Sequence, residues 1–132
     1  LASSRNAETG IDRLNAYIEA WGNYIPEIHG VARALMALQD SDAAAKLAWE
    51  DRMHAVREGC EAAIKALRND GVLSSDYTIS KATDILWAML SVGQWELLTV
   101  TCGWSQSQYI KLTKVIACRT LLNQQTYQMS RN

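Results

Sequence analysis

The strongest constraint on the fold is that apolar residues recur at helical spacing along a chain with a single proline, Pro26, in 132 residues. Proline is the residue that helix interiors tolerate least, whereas the abundant Ala, Leu, Gln and Glu suit helices. Sustained two-residue alternation and Asn-Gly turns, which are typical of strands and hairpins, are missing from the sequence. The sequence therefore predicts an all-α protein.

Five helices are predicted from the apolar stripes and the signals at their ends. Pro26 is expected to end the first helix and to occupy the first position of the second, where its missing N–H costs nothing. The predicted helices cover about 9–25, 26–38, 42–69, 78–101 and 105–124, and the tail at 125–132 is expected to fray.

Short polar residues and glycines mark where these helices begin and end. Thr9, Ser41 or Asp42, Thr78 and Ser105 are predicted N-caps, and Gln108 completes a capping box with Ser105. Gly71 and Gly103 are predicted helix ends. Within helices, Gly22 and Gly59 are interpreted as close helix crossings, and a kink or short non-helical step is expected at Ser91-Val92-Gly93.

The size and charge of the chain limit its function. A length of 132 residues favours one domain, and the net charge of −1 lacks the basic patch that binding to nucleic acid requires. No apolar run is long enough for a membrane span, and no signal segment opens the chain. An odd number of cysteines (Cys60, Cys102 and Cys118) without a CxxC motif predicts reduced thiols and a cytoplasmic location.

Catalytic and metal-binding motifs are missing from the sequence. Asp51 and His54 have the i, i+3 spacing found in carboxylate-bridged di-iron bundles, but no second motif accompanies them. We therefore expect no enzyme, no metal and no cofactor, and treat a di-metal helical enzyme as the weakest of three hypotheses.

Large, soft side chains are frequent on the faces predicted to point inward. Each one by itself is explained by ordinary core packing, but together they suit a mostly apolar ligand cavity with a few polar points. The predicted ligand-binding residues are Tyr17, Trp21, Tyr24, Met36, Trp49, Met53, Trp87 and Ser91.

The fourth and fifth predicted helices carry apolar residues on more than one face. A helix on a protein surface needs only one apolar face, so a second implies a further partner. Two such helices joined by a short turn can pair with a second copy of themselves across a two-fold axis, as a four-helix bundle. The predicted homodimer interface residues are Trp95, Tyr109, Leu112, Ile116 and Leu121.

The segment 83–122 resembles the regulatory domain of TetR-family transcriptional repressors without a gap. The resemblance lies in the run Asp84 to Ser91 (DILWAMLS), followed by Trp95, Leu97-Leu98, Gly103-Trp104-Ser105 and Tyr109. The phrase ALRNDGVL at 66–73 is similar to the end of the preceding long helix in that family. Where many members have Ser-Pro-Glu, this chain has Ser91-Val92-Gly93, so a different shape is expected at that step.

The resemblance implies a homodimer that pairs through its last two helices and binds a small-molecule effector in each protomer. In the family an N-terminal helix-turn-helix contacts DNA; because its motifs are missing here, we interpret residues 1–132 as the regulatory domain alone. A ligand beside Tyr17 or Trp21 would then change the distance between the two helix-turn-helix domains of the dimer. The alternative is a ligand-free helical module for protein interaction or dimerisation.

Overall fold

A computed structural model describes residues 7–130 of the chain. Within those residues the secondary structure is helical, apart from one isolated β-bridge between Leu73 and Leu122. The prediction of an all-α protein is therefore confirmed. The elements are α1 (Gly10–Leu38), α2 (Ala43–Asn69), α3 (Ile79–Met89), α4 (Val92–Glu96), a π-helical segment (Leu97–Thr101), α5 (Gln106–Leu121) and α6 (Gln124–Ser130).

The predicted division at Pro26 is wrong, because α1 is one helix of 29 residues with Pro26 inside it. A proline in a helix interior costs about 3 kcal/mol, partly because the carbonyl four residues earlier loses its N–H partner. Here that carbonyl belongs to Gly22, and it accepts a hydrogen bond from Gln106 Nε2 of α5 instead. Burial of Ile25 and Ala32 on either side of Pro26 further favours a continuous helix.

The fourth predicted helix, 78–101, is wrong as a single element. It is interrupted at Leu90 (φ −102°, ψ 42°), and the Ser91 hydroxyl then caps α4 by accepting from the backbone N–H of Gln94, 3.2 Å. The non-helical step expected between Ser91 and Gly93 is thereby confirmed at its first residue. The break allows both Leu90 and Val92 to be fully buried, which a continuous helix would not allow for two residues on different faces.

The local end signals are confirmed. Thr9, Asp42 and Thr78 each accept a hydrogen bond from a backbone N–H in the first turn of the following helix. Ser105 and Gln108 form the reciprocal capping box. Gly71 and Gly103 adopt φ of +72° and +76°, the left-handed region that glycine enters without strain.

The C-terminal segment forms a helix, α6, where the sequence predicted a frayed tail. Asn123 starts it, since its Oδ1 accepts from the N–H of Thr126 at 2.8 Å. The same side chain donates to the carbonyl of Gly71 at 3.2 Å, and the backbone N–H of Asn123 donates to Val72 at 2.8 Å. The loop after α2 therefore anchors the start of α6. The last two residues of the predicted tail, 131 and 132, lie outside the described residues.

The core is organised around the hairpin of α1 and α2, which the four residues 39–42 connect. Gly22 lies against the side chain of Ile110, and Gly59 lies against the ring of Tyr17, so a β-carbon at either position would overlap its neighbour. Both glycines thus confirm the predicted close approaches. No helix within residues 7–130 is both long and apolar enough to cross a bilayer.

Candidate functional site

A cavity of about 390 Å³ opens between α1 and α2, and we call it the α1–α2 cavity. This volume falls in the range of about 300–1,000 Å³ that is typical of small-molecule sites. Four of the predicted ligand-binding residues meet here. The lining residues are Tyr17, Trp21, Tyr24, Ile28, Arg52, Met53, Ala55 and Val56.

The floor of the cavity is formed by Tyr17 and Trp21, both of which are buried. The missing side chain at Gly59 makes room for the Tyr17 ring, whose hydroxyl donates to the carbonyl of Val56 at 3.1 Å. Burial, with a smaller contribution from the neighbouring Cys60, raises the pKa of Tyr17 well above its usual value. The phenol is therefore neutral at physiological pH, and its hydrogen is already engaged.

Trp21 connects this floor to α5. Its indole N–H donates to the hydroxyl of Tyr109 at 3.2 Å, and both side chains are buried. Burial raises the pKa of Tyr109, although the hydrogen bond from Trp21 partly opposes that shift. A molecule that displaced the Trp21 ring would therefore disturb a side chain on α5 directly.

The mouth of the cavity is formed by Tyr24, whose side chain is 43% exposed, and by the exposed Arg52. The aromatic residues follow one another at i, i+4 and i+7 along α1, so the same face changes from buried at Tyr17 to exposed at Tyr24. The cavity thus has an apolar inner end and a polar outer end.

A second cavity, of about 560 Å³, is lined by two further predicted residues, Trp49 and Trp87, and by Met53, which lines both cavities. The remaining lining residues of this cavity are polar. One of its aromatic walls, Trp87, packs against Arg57. The guanidinium of Arg57 lies 5.0 Å from the ring centroid of Trp87 and 2.8 Å from Asp84 Oδ1. The predicted ligand residues therefore divide between two neighbouring cavities.

Two predicted ligand residues line neither of these cavities. Met36 packs, partly buried, against the core, and Ser91 caps α4. The residue that the sequence interpretation missed and that matters most chemically is Arg52. A signal for it exists in the sequence, because its helix neighbours at i±3 and i±4 are all apolar: Ala48, Trp49, Ala55 and Val56.

The predicted interface residues fall into two groups, one buried within the protomer and one exposed on its surface. Trp95, Tyr109 and Leu121 are buried in the core of the protomer itself. Leu112 and Ile116 are 38% and 47% exposed and, with Val115, form an apolar surface on α5 that we call the α5 surface. Tyr109 lies on α5, the helix that carries this surface, and bonds to Trp21 of the cavity floor, so the same helix contacts the floor and bears the α5 surface.

Polar side chains join α1 to the segment before α5. His29 Nε2 lies 2.6 Å from Glu96 Oε1, and the His29 ring packs edge-on against Trp95, with the ring centroids 4.8 Å apart. The indole N–H of Trp95 donates to Gln106 Oε1 at 3.2 Å, and Gln106 also donates to Gly22. Gln106 therefore connects α1, α4 and α5.

His54, the residue on which the di-metal hypothesis depended, is exposed and lies 3.0 Å from Glu58 Oε1. Residues 7–130 contain no group of three or more potential metal ligands. Cys60, Cys102 and Cys118 are free thiols.

Comparisons of this chain with protein-family models, with curated proteins and with solved structures found no match. Inference about its function therefore rests on its own residues and their geometry.

Proposed function

We propose that this chain is a ligand-sensing and dimerisation domain, of the kind that regulates DNA binding in TetR-like repressors. The observation that carries the proposal is the arrangement of Trp21 and Tyr109. One of these residues forms the floor of an apolar cavity, and the other lies on the helix that carries the α5 surface. Ligand binding and subunit pairing would thus act on the same buried hydrogen bond.

The α5 surface is the proposed homodimer interface. Leu112, Val115 and Ile116 are spaced i, i+3 and i+4 on one face, which is the pattern of a helix that packs against a partner. Two copies of this surface related by a two-fold axis would pair α5 with α5 and place the preceding helices beside them, as a four-helix bundle. The buried Trp95, Tyr109 and Leu121 would support that bundle from beneath.

Regulation follows from differential binding. A ligand changes a conformational equilibrium only by the difference in its affinity for the two states. Filling the α1–α2 cavity fixes the position of Trp21 and, through the hydrogen bond, that of Tyr109 on α5. The effector class is therefore a small, mostly apolar molecule, and DNA would be contacted only by a domain outside residues 1–132.

The experiment that tests ligand binding is a titration with the apolar fluorescent dye N-phenyl-1-naphthylamine. We expect one saturable site per protomer in the wild type and loss of that site in Ala55→Trp, where an indole would occupy the cavity from its α2 wall. Unsaturable binding, or binding that Ala55→Trp leaves intact, would exclude a ligand site here.

A ligand-free interaction module is the second candidate, and a specific observation favours it. Val31, Leu38 and Leu47 are large apolar residues that lie exposed on the α1–α2 hairpin, apart from the α5 surface. Exposed apolar side chains of this kind are common at protein-binding surfaces. If the dye does not bind but Leu47→Glu abolishes self-association, this candidate is the better one.

A further inference from the structure

Arg52 is the one charged residue among the described residues that line the α1–α2 cavity. A guanidinium is not deprotonated in proteins, so the mouth of the cavity carries a positive charge at every physiological pH. Its aliphatic stem can lie along the apolar wall while the charged end remains at the opening.

Among the described residues, Arg52 and Arg68 are the basic residues of α2 without a carboxylate partner, and of these two only Arg52 lines the cavity. The other basic side chains of this helix have a carboxylate within 4.0 Å: Lys46 with Glu50, His54 with Glu58, Arg57 with Asp84, and Lys65 with Glu61. For Arg52, the described part of the chain shows no ion pair and no hydrogen bond from the side chain. On α1, Glu27 falls between Tyr24 and Ile28 in sequence but does not line the cavity.

At the inner end of the cavity, the hydrogen-bond donors of Tyr17 and Trp21 are both already engaged. The Tyr17 hydroxyl donates to Val56, and the Trp21 indole donates to Tyr109. What these residues present is aromatic surface, against which another ring packs in an offset or edge-on geometry. A ligand therefore matches the cavity when its buried end is an aromatic ring and its exposed end is an anion.

We propose that the α1–α2 cavity binds an aromatic acid, with its ring against Tyr17 and Trp21 and its carboxylate or sulfonate paired with Arg52. This inference rests on the proposed ligand-binding function and specifies its ligand class. The ion pair forms at a partly wet opening, so it adds specificity for anions to an affinity that burial of the ring supplies.

Two dyes that differ only by a charged group test the pairing. 8-Anilinonaphthalene-1-sulfonate has the ring system of N-phenyl-1-naphthylamine plus one sulfonate. Arg52→Gln is expected to raise the dissociation constant of the sulfonate by about tenfold and that of the neutral dye by less than about twofold. Arg52→Lys should recover part of the loss, and Arg68→Gln, which removes an exposed charge elsewhere on α2, should change neither.

The outcomes distinguish a failure of the anion assignment from a failure of the proposed ligand-binding function. If neither dye binds, or Ala55→Trp leaves both bound, the ligand site itself is wrong. If both dyes bind and Ala55→Trp blocks both, while Arg52→Gln affects them equally or not at all, only the anion assignment is wrong. 2-Naphthoate should displace the sulfonate dye at a concentration at least about tenfold lower than laurate does, and equal displacement would overturn the preference for an aromatic ring.

Discussion

The indole N–H of Trp21 donates a hydrogen bond to the hydroxyl of Tyr109, 88 residues away in the sequence, with a donor–acceptor distance of 3.2 Å. Both side chains are buried, so neither polar group has water as an alternative partner. The bond joins the floor of the α1–α2 cavity to the helix that bears the α5 surface. It is therefore the point at which a bound ligand and a neighbouring subunit would influence each other.

Removal of this hydrogen bond should destabilise the protein. Tyr109→Phe leaves the Trp21 N–H buried without its acceptor, and we expect the free energy of unfolding to fall by about 1–3 kcal/mol in urea denaturation. Tyr77→Phe is the matched control, because the described residues show no hydrogen bond from the partly buried Tyr77 hydroxyl. Equal losses in the two variants would mean that the Trp21–Tyr109 bond contributes nothing specific.

Pro26 and Gln106 should be energetically coupled. Gln106→Ala removes the donor to the Gly22 carbonyl and should cost about 1–3 kcal/mol in the wild type. In a Pro26→Ala background the backbone N–H at position 26 can bond that carbonyl, so the cost of Gln106→Ala should be smaller by at least about 1 kcal/mol. The four urea midpoints measure the coupling, and additive losses would refute this role for Gln106.

Stability should decline in alkaline solution because of Cys60. Burial raises the pKa of this thiol from 9.0 to about 12, an effect that the nearby Arg57 only partly opposes. Between these values the unfolded chain has lost the proton while the folded protein keeps it, so stability falls by about 1.4 kcal/mol per pH unit, and the contribution is fully present below pH 9. The burial-raised pKa of Tyr17 acts in the same direction above pH 10.0, the usual pKa of a tyrosine.

The Cys60→Ala variant should therefore lose less stability per pH unit than the wild type between about pH 9 and 12, whatever its stability at neutral pH. Cys102→Ala is the control, since it removes an exposed thiol instead of a buried one. Urea titrations at pH 8, 10 and 11 give the slopes. Identical slopes for the wild type and Cys60→Ala would show that the thiol is not buried as described.

The α5 surface can be tested by introducing a charge. Ile116→Glu would bury a carboxylate in the proposed interface, so we expect the dimer dissociation constant to rise by at least about tenfold in sedimentation equilibrium. Leu47→Glu places the same charge at an apolar residue that is 60% exposed on α2, and it should leave the dimer intact. A protein that is monomeric before mutation, or that loses its dimer only in Leu47→Glu, would contradict the interface.

Features that depend on neighbours within one helical turn could be predicted from the sequence. The caps at Thr9, Asp42 and Ser105 are of this kind, because each side chain bonds a backbone N–H two or three residues away. The continuity of α1 could not be predicted, since the group that satisfies the carbonyl released by Pro26 comes from Gln106, 84 residues distant.

The same distinction applies to the site. Tyr17, Trp21 and Tyr24 share a face at helical spacing, so the sequence predicts that they line one wall together. The sequence does not single out Arg52, because a lone charge on a helix is usually solvated, and only the structure shows that it lines the cavity together with Tyr24. The hydroxyl of Ser91 makes it a predicted polar point of the site, but the helix is interrupted at Leu90 and this hydroxyl caps α4.

The most direct test of the account is the dimer dissociation constant of the wild-type protein, measured by sedimentation equilibrium with and without saturating N-phenyl-1-naphthylamine. If the Trp21–Tyr109 contact links cavity and interface, the dye should change that constant by at least about fivefold, and Tyr109→Phe should reduce the change. A dye that fills one site per protomer and leaves the dimer dissociation constant unaltered would contradict the coupling of ligand sensing to dimerisation.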